Sequence, residues 1–367
     1  MKISFFIPNL YTAGAENVLI LVINQLVNKY PDFEFHLCIS DKSNTRLNIL
    51  DSRIKILNFS KSKLRYCLID LILYLKKESP QYFISALDYA NLLASFAHKC
   101  SFVDTKLILW EHNVTSIHGI KTISKIKIIR YILVNFLYNR AQYILCVSKG
   151  ILCDLIKSFN IKNKKLLLVY NPVDHNRINK LSVLSNHKVN AIIEKGSYIL
   201  SIGRLAEAKN FSLLIRAFNN VKNIVKYKLI IMGDGPLRSD LNTLIKKLNL
   251  SNHVYLIGHF SNPYIFIKNS KAVISSSNWE GLPLNLIESL ALGKYIISTD
   301  CPHGPREILD NGNFGTLVPT DNVELLSKAI KDIPSNSKSF NEQKLIERSK
   351  YFSINRSLEK LGEIFED

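Results

Sequence analysis

The chain has no apolar run long enough to span a membrane; its longest, such as Leu71 to Leu75, fall far short of the roughly 20 residues required. Lys2 followed by Ile3 to Ile7 is too short for the core of a signal peptide and reads as a first strand, so the expected location is cytoplasmic. There is no Cys-x-x-Cys. The six cysteines, at 38, 67, 100, 146, 153 and 301, are scattered and mostly sit inside apolar runs, which predicts reduced core residues and neither ligands nor bridges. The absence of Gly-x-Gly-x-x-Gly argues against a dinucleotide dehydrogenase, and no Asp-x-Asp stands at a strand end to hold a metal. Low-complexity tracts and short repeats are also missing. Acidic residues are scarce: 30 Asp and Glu face 48 Lys and Arg, a net charge of +18. Residues 1 to 175 hold +11 of this, from 23 basic and 12 acidic side chains. Nucleic acid, an anionic membrane and phosphorylated substrates all suit such a charge, and charge alone does not choose among them.

What is present is a globular composition, 47% hydrophobic and 21% charged, in 367 residues, enough for two domains with separate cores. Its most informative stretch runs from Ser275 to Ile297. A strand at Lys271 to Ile274 leads through a tight turn, Glu280 to Leu282, into a helix predicted to begin at Pro283, where a missing N–H is harmless, and to end at Gly293. Asn285, Glu288 and Ser289 recur at i, i+3, i+4 and form one polar stripe on an otherwise apolar helix. The amides opening such a helix are unpaired and carry partial positive charge, which suits a phosphate. Glu288 stands about 7 Å further along the axis, where its carboxylate can accept two hydrogen bonds from a ribose diol. Glu280 in the turn is placed to hold hydroxyls beyond the phosphates. Two glutamates eight apart on a solvated face are the plain alternative.

The stretch resembles the Glu, seven residues, Glu motif of the retaining glycosyltransferases of family 4. That resemblance implies an α/β chain of GT-B fold, two Rossmann-like domains facing a central cleft, with the acceptor on the first and the donor on the second. The expected divisions are an acceptor domain over 1 to 175, a linker over 176 to 195, a nucleotide-sugar domain over 196 to 340, and C-terminal helices over 341 to 367, the last returning to the first domain. The remaining motifs follow in order. Strand Lys2 to Ile7 and the loop Thr12-Ala-Gly-Ala-Glu16 open the first domain. The family's Gly-Gly-Ala-Glu loop has its first glycine replaced here by Ala13, and Gly14 is the position that carries over to the donor diphosphate and acceptor. Any tight strand-to-helix turn also favours a glycine. Further strands are expected at Phe35 to Ile39, Ile54 to Phe59, Tyr82 to Ala86, Leu107 to Glu111, Tyr143 to Val147 and Leu166 to Tyr170. Glu111-His112-Asn113 ends one of them, and His112 matches the family histidine that approaches the donor sugar.

In the second domain, strand Tyr198 to Ile202 precedes Arg204 and Lys209, a fork of donors and a compact charge suited to a diphosphate. These match the family's donor clamp. Strand Lys228 to Met232 and Gly233-Asp-Gly-Pro236 come next, with a helix expected from Pro236, and then Gly258, which borders the base in the family. Strands Tyr295 to Thr299 and Phe314 to Val318 complete the pattern. The resemblance therefore implies catalytic roles for His112, Glu280, Arg204 and Lys209. It implies a donor site of Gly14, Arg204, Lys209, Gly258, Glu280, Gly281, Leu282, Pro283, Leu284, Asn285 and Glu288.

It further implies no metal and no cofactor beyond the nucleotide-sugar donor, expected to be a UDP-sugar, and an α-linked product. The expected acceptor is a lipid-linked or lipopolysaccharide-type saccharide in polysaccharide assembly. Lys61, Lys63, Arg65, Lys76 and Lys77 around Leu68 to Leu75, and Lys121, Lys125, Lys127 and Arg130 before Tyr131 to Tyr138, suggest contact with an anionic membrane; ordinary solvated helices are the alternative. The other readings are a GT-B nucleotide-sugar epimerase, which needs no acceptor, and a nucleic-acid-binding protein. The latter is disfavoured because the basic residues are interleaved with core patterns and lack a series of stacking aromatics.

Overall fold

The structure is a computed structural model and describes residues 1–11, 14–41, 46–116, 124–184, 192, 197–334 and 340–366, without the side chains of 124–127. Thr12, Ala13, Lys121 and half of the expected linker lie outside the described residues, as do the side chains of Lys125 and Lys127. The chain divides into two compact units, Met1–Pro172 with Ile354–Asp367, and Val173–Ser353.

Unit 1 is a parallel seven-stranded sheet with helices between the strands. Its strands are β1 (Lys2–Ile7), β2 (Glu34–Ile39), β3 (Lys55–Asn58), β4 (Tyr82–Ala86), β5 (Lys106–Glu111), β6 (Tyr143–Cys146) and β7 (Leu166–Leu168), in the order β3-β2-β1-β4-β5-β6-β7. The central strands are apolar along nearly their whole length because helices cover both faces of a parallel sheet. In β1, for example, Ile3, Phe5, Phe6 and Ile7 are all fully buried. The connecting helices are α1 (Gly14–Lys29), α2 (Leu68–Glu78), α3 (Asp88–Ser101), α4 (Ser124–Tyr138) and α5 (Lys149–Phe159). The C-terminal helix Ile354–Glu366 docks on this unit, where Lys29 Nζ donates to the Leu358 carbonyl at 3.3 Å and Tyr82 Oη to that of Ile364 at 2.8 Å.

Unit 2 opens with α6 (His175–Ser182). Its six-stranded parallel sheet comprises β8 (Tyr198–Ile202), β9 (Lys228–Met232), β10 (Val254–Gly258), β11 (Ala272–Ser275), β12 (Tyr295–Thr299) and β13 (Thr316–Val318), ordered β10-β9-β8-β11-β12-β13. Its other helices are α7 (Phe211–Val221), α8 (Arg238–Lys247), α9 (Tyr264–Asn269), α10 (Leu284–Ala291), α11 (Pro305–Ile308), α12 (Val323–Lys331) and α13 (Glu342–Ser349). In each sheet the strand order reverses beside the first strand, between β1 and β4 and between β8 and β11. Crevices off the carboxyl ends of strands at such switch points are where doubly wound sheets bind ligands.

Three expectations require correction. Residues 175–182, expected mostly in the linker, form α6, which Asp174 caps by accepting from Arg177 N at 3.0 Å. The helix expected from Pro236 begins at Arg238, because Leu237 N is held by the Leu205 carbonyl at 3.0 Å, fixing Pro236 and Leu237 as a turn against the loop after β8. Pro283 is extended, with ψ 106°, and stands one residue before α10 as its cap instead of as its first helical residue.

Candidate active site

The carboxyl ends of β8 and β11 bring together two of the charged residues expected at the donor. Lys209 ends a short 3-10 turn, Glu207–Lys209, after β8, and Glu280 follows β11. Lys209 Nζ lies 2.5 Å from Glu280 Oε1, which also accepts from Ser277 Oγ at 2.6 Å. The loops carrying them are tied by further bonds: Ser276 Oγ donates to the Lys209 carbonyl at 2.9 Å and Asn278 N to that of Ala208 at 2.8 Å. The Lys209 stem lies across Gly203, where an added Cβ would stand 3.1 to 3.2 Å from Cγ, Cδ and Cε. Arg204, by contrast, is exposed at the end of β8, and its guanidinium forms no ion pair among the described residues.

The turn of Gly281 and Leu282 is buried and leads through Pro283 into α10, with Leu284 and Asn285 partly exposed at its start. The polar stripe read from the sequence is split by internal bonds. Asn285 Nδ2 donates to the Ile202 carbonyl at 3.0 Å, which binds the helix to the end of β8, and Ser289 Oγ donates to the Asn285 carbonyl at 2.6 Å. Glu288 therefore keeps most of the stripe's spare hydrogen-bonding capacity. Burial pushes its carboxyl up to about 7, opposed by the Tyr264 hydroxyl, which donates to Oε1 at 3.0 Å, and by the positive charge of Arg177 on α6. Gly258 ends β10 with φ +81°, and its carbonyl accepts from Gly233 N at 2.8 Å. Neither Tyr264 nor Ser277 was singled out from the sequence. Their only signal is a hydroxyl amid apolar or serine-rich surroundings, too common to distinguish them.

In unit 1, Gly14 is the exposed first residue of α1, off the end of β1. His112 follows β5 and is buried, at 6% exposure. Burial pulls its pKa down to about 3 against a small opposing effect of the nearby Asn171 side chain, so the imidazole is neutral throughout the working range. Neither ring nitrogen has a well-formed hydrogen bond among the described residues. A buried, unspent imidazole is able to meet a sugar hydroxyl as a neutral dipole, not as a cation. The preceding Glu111 is fully buried and pushed up to about 8 by burial and by the charge of Asp88. Asn91 Nδ2 donates to its Oε1 at 2.8 Å, and Tyr138 Oη donates to the same oxygen, so α3 and α4 both close on the end of β5. Among the described residues, Glu34 and His36 at the start of β2 and Glu78 at the end of α2 bring ligand atoms within 4.8 Å of one another. Lys2 pairs with Glu78 at 2.5 Å and with Glu34 at 3.5 Å.

Known proteins resemble this chain along nearly its full length. The family description "Glycosyltransferase Family 4" matches residues 12–177, and "Glycosyl transferases group 1" matches residues 183–351. A Campylobacter jejuni protein is 32% identical over 92% of this chain and 91% of its own length. It is named N-acetylgalactosamine-N,N'-diacetylbacillosaminyl-diphospho-undecaprenol 4-alpha-N-acetylgalactosaminyltransferase. The chain is a glycosyltransferase of family 4. A second C. jejuni relative of this glycosyltransferase is named GalNAc-alpha-(1->4)-GalNAc-alpha-(1->3)-diNAcBac-PP-undecaprenol alpha-1,4-N-acetyl-D-galactosaminyltransferase. It is 28% identical over 94% of the chain and 91% of its own length. Among solved structures, Anabaena HepE in complex with UDP and glucose superposes with a TM-score of 0.82 at 16% identity, covering 100% of this chain and 99% of the other. The lipopolysaccharide outer core galactosyltransferase WaaB, apo form, gives 0.74 at 22% identity, covering 100% and 99%. The glycosyltransferase thus has the GT-B fold, its two Rossmann-like halves being units 1 and 2.

Proposed function

We propose that this glycosyltransferase moves a hexose or N-acetylhexosamine from a UDP-sugar, with retention of the α configuration, to a saccharide carried on a lipid diphosphate. The observation that carries this reading is the Lys209–Glu280 pair beside the start of α10, at the switch point of unit 2. In the reaction the bond from the anomeric carbon to the β-phosphate oxygen breaks, the acceptor oxygen bonds to that carbon on the same face, and the acceptor proton passes to the departing phosphate oxygen. The nucleoside diphosphate leaves with the electron pair, so the chain's main task is to hold developing negative charge. Lys209, Arg204 and the opening amides of α10 supply that charge complement without a metal. A diphosphate draws Lys209 from Glu280, which frees the carboxylate for sugar hydroxyls, while Glu288 takes the ribose. Within unit 1, His112 after β5 and Gly14 at the start of α1 are the groups proposed to meet a sugar hydroxyl and a phosphate. Support for the acceptor class comes from the undecaprenol-linked substrates in the names of the two C. jejuni relatives. The deciding experiment is a panel of UDP- and GDP-sugars with undecaprenyl-diphosphate saccharides, with and without EDTA, scored for nucleotide release and anomeric configuration. Release dependent on GDP-sugars alone, or a β-linked product, contradicts the proposal.

The ionisation of Glu288 gives a pH prediction. Its pKa stands near 7 and only the carboxylate accepts both diol hydrogens, so donor affinity is expected to rise with pH and level off above about 8. At pH 6 about one site in ten is ionised, and the dissociation constant for UDP is expected to be about tenfold above its plateau. Glu288→Gln should flatten the profile. Calorimetry from pH 5.5 to 8.5 checks both, and an affinity that falls with rising pH contradicts the assignment.

We also propose that unit 1 meets an anionic membrane. On α4, Ile128, Ile129, Ile132, Leu133 and Phe136 lie on one side and are each 41 to 60% exposed. Cations border them: Lys99 Nζ lies 4.4 Å from the centre of the Phe136 ring and the Arg140 guanidinium 4.6 Å from it. On α3, Tyr89 is 63% exposed, with the Arg130 guanidinium 5.8 Å from its ring centre. An apolar strip edged by positive charge suits the interface of an anionic bilayer. Among the described residues no helix is long and apolar enough to cross one. The double variant Ile128→Glu/Ile132→Glu is expected to lower partition onto phosphatidylglycerol vesicles at least tenfold, given about 1.5 kcal/mol or more per buried isoleucine. Vesicle flotation measures it, and unchanged partition removes the proposal.

A further inference from the structure

A carboxylate that is to hold a ribose diol must present a fixed edge, because the terminal torsion of a glutamate is broad and its two oxygens exchange freely unless something selects one. We infer that Tyr264 is a positioning residue for the nucleotide ribose: its hydroxyl, on a different helix, donates to Glu288 Oε1 and leaves the other edge of the carboxylate for the diol. The inference rests on the donor reading above.

Tyr264 is itself held in place. It opens α9 after Asn262-Pro263, where Asn262 Oδ1 accepts from Tyr264 N at 3.2 Å and Asn262 Nδ2 donates to the Leu181 carbonyl on α6 at 2.9 Å. The same α6 carries Arg177, whose charge acts on both Tyr264 and Glu288, and is capped by Asp174, which acts on Tyr264. Burial, with the Glu288 charge behind it, holds the phenol far above its ordinary pKa, so at any working pH it keeps the proton it donates to Glu288. The neighbouring polar groups on α10 do not substitute for it. Asn285 and Ser289 donate to backbone carbonyls, and no other side-chain hydrogen bond to Glu288 is formed among the described residues.

The test is calorimetric titration of the full-length protein with two probes, UDP and 2′,3′-dideoxy-UDP, which shares the base and diphosphate but lacks the diol. Tyr264→Phe is expected to weaken UDP about tenfold, as for loss of a hydrogen bond to a charged group, and to change 2′,3′-dideoxy-UDP less than twofold. In a Glu288→Gln background, the same exchange should alter UDP affinity less than twofold, because the carboxylate it orients is gone. Equal weakening of both probes, or no weakening of either, overturns the inference while leaving the donor site standing. If the wild-type protein binds neither probe, or fails to prefer UDP over its dideoxy analogue, the ribose reading of Glu288 falls and the role of Tyr264 with it. A purely structural role for Tyr264 moves both probes together, so selectivity for the diol is the distinguishing measurement.

Discussion

Lys209→Ala is expected to lower kcat/KM by about 10²- to 10³-fold, the usual loss when one preorganised group is removed from a developing negative charge and equivalent to about 2.7–4 kcal/mol. The side chain is partly buried, at 23% exposure, and Glu280 more so at 10%, so their attraction for charge is less screened than at an open surface. Among the described residues the variant also leaves Glu280 with Ser277 as its remaining side-chain hydrogen-bond donor, so some loss reflects a carboxylate that repels the diphosphate. Lys209→Arg should restore only part of the activity. The stem lies against Gly203 and fixes where the compact ammonium stands, whereas arginine spreads the same charge over a planar head of different reach and geometry. Initial rates of nucleotide release settle both variants. Retention of wild-type kcat/KM within threefold in Lys209→Ala excludes this cation from the reaction.

Much of the fold is legible before any coordinates. Parallel strands buried on both faces appear as largely apolar runs, so Lys2–Ile7, Tyr82–Ala86, Tyr198–Ile202, Lys228–Met232 and Tyr295–Thr299 have the bounds their hydrophobicity predicts. The helix starts are less legible. Arg238 opens α8 because Leu237 N is taken by the Leu205 carbonyl, a contact 32 residues distant in sequence that no local propensity encodes. The same holds for α6, where a polar, turn-rich segment reads as a linker but forms a helix capped by Asp174.

The site divides along the same line. Candidate residues at a strand end or on a helix face, such as Lys209, Glu280, Glu288 and His112, are picked out by their motifs and by the resemblance to family 4. Residues that act by holding those are not. The i, i+3, i+4 spacing of Asn285, Glu288 and Ser289 predicts a shared face but not that Asn285 is committed to the Ile202 carbonyl. Glu111 stands in full view beside His112, yet its protonation depends on burial and then on Asp88, and its hydrogen bonds on Asn91 and Tyr138, from two other helices. Sequence spacing reports periodicity within an element, whereas a partner on another element is set by topology.

Gly233→Ala is expected to destabilise unit 2 by about 4 kcal/mol or more, a size reserved for severe overpacking combined with backbone strain. An added Cβ would lie 1.9 Å from the carbonyl oxygen of Gly203 and 2.9 Å from its carbon, both backbone atoms, and Gly233 has φ +141°. Neither segment is able to retreat. Gly203 N is bonded to the Met232 carbonyl at 3.0 Å, Gly233 N to that of Gly258 at 2.8 Å, and Leu205 N to that of Asp234 at 2.9 Å, so the ends of β8, β9 and β10 are laced together at this point. Gly312→Ala is the control. It also replaces a positive-φ glycine, φ +98°, but nothing lies within 4 Å of the new Cβ, and only the conformational cost of about 1 kcal/mol remains. Urea unfolding of the two variants separates clash from strain, and equal losses contradict the account. Any folded fraction of Gly233→Ala must displace Gly203, over which the Lys209 stem lies, so its affinity for UDP should fall as well. The packing that holds the sheet together is also the floor of the proposed diphosphate site.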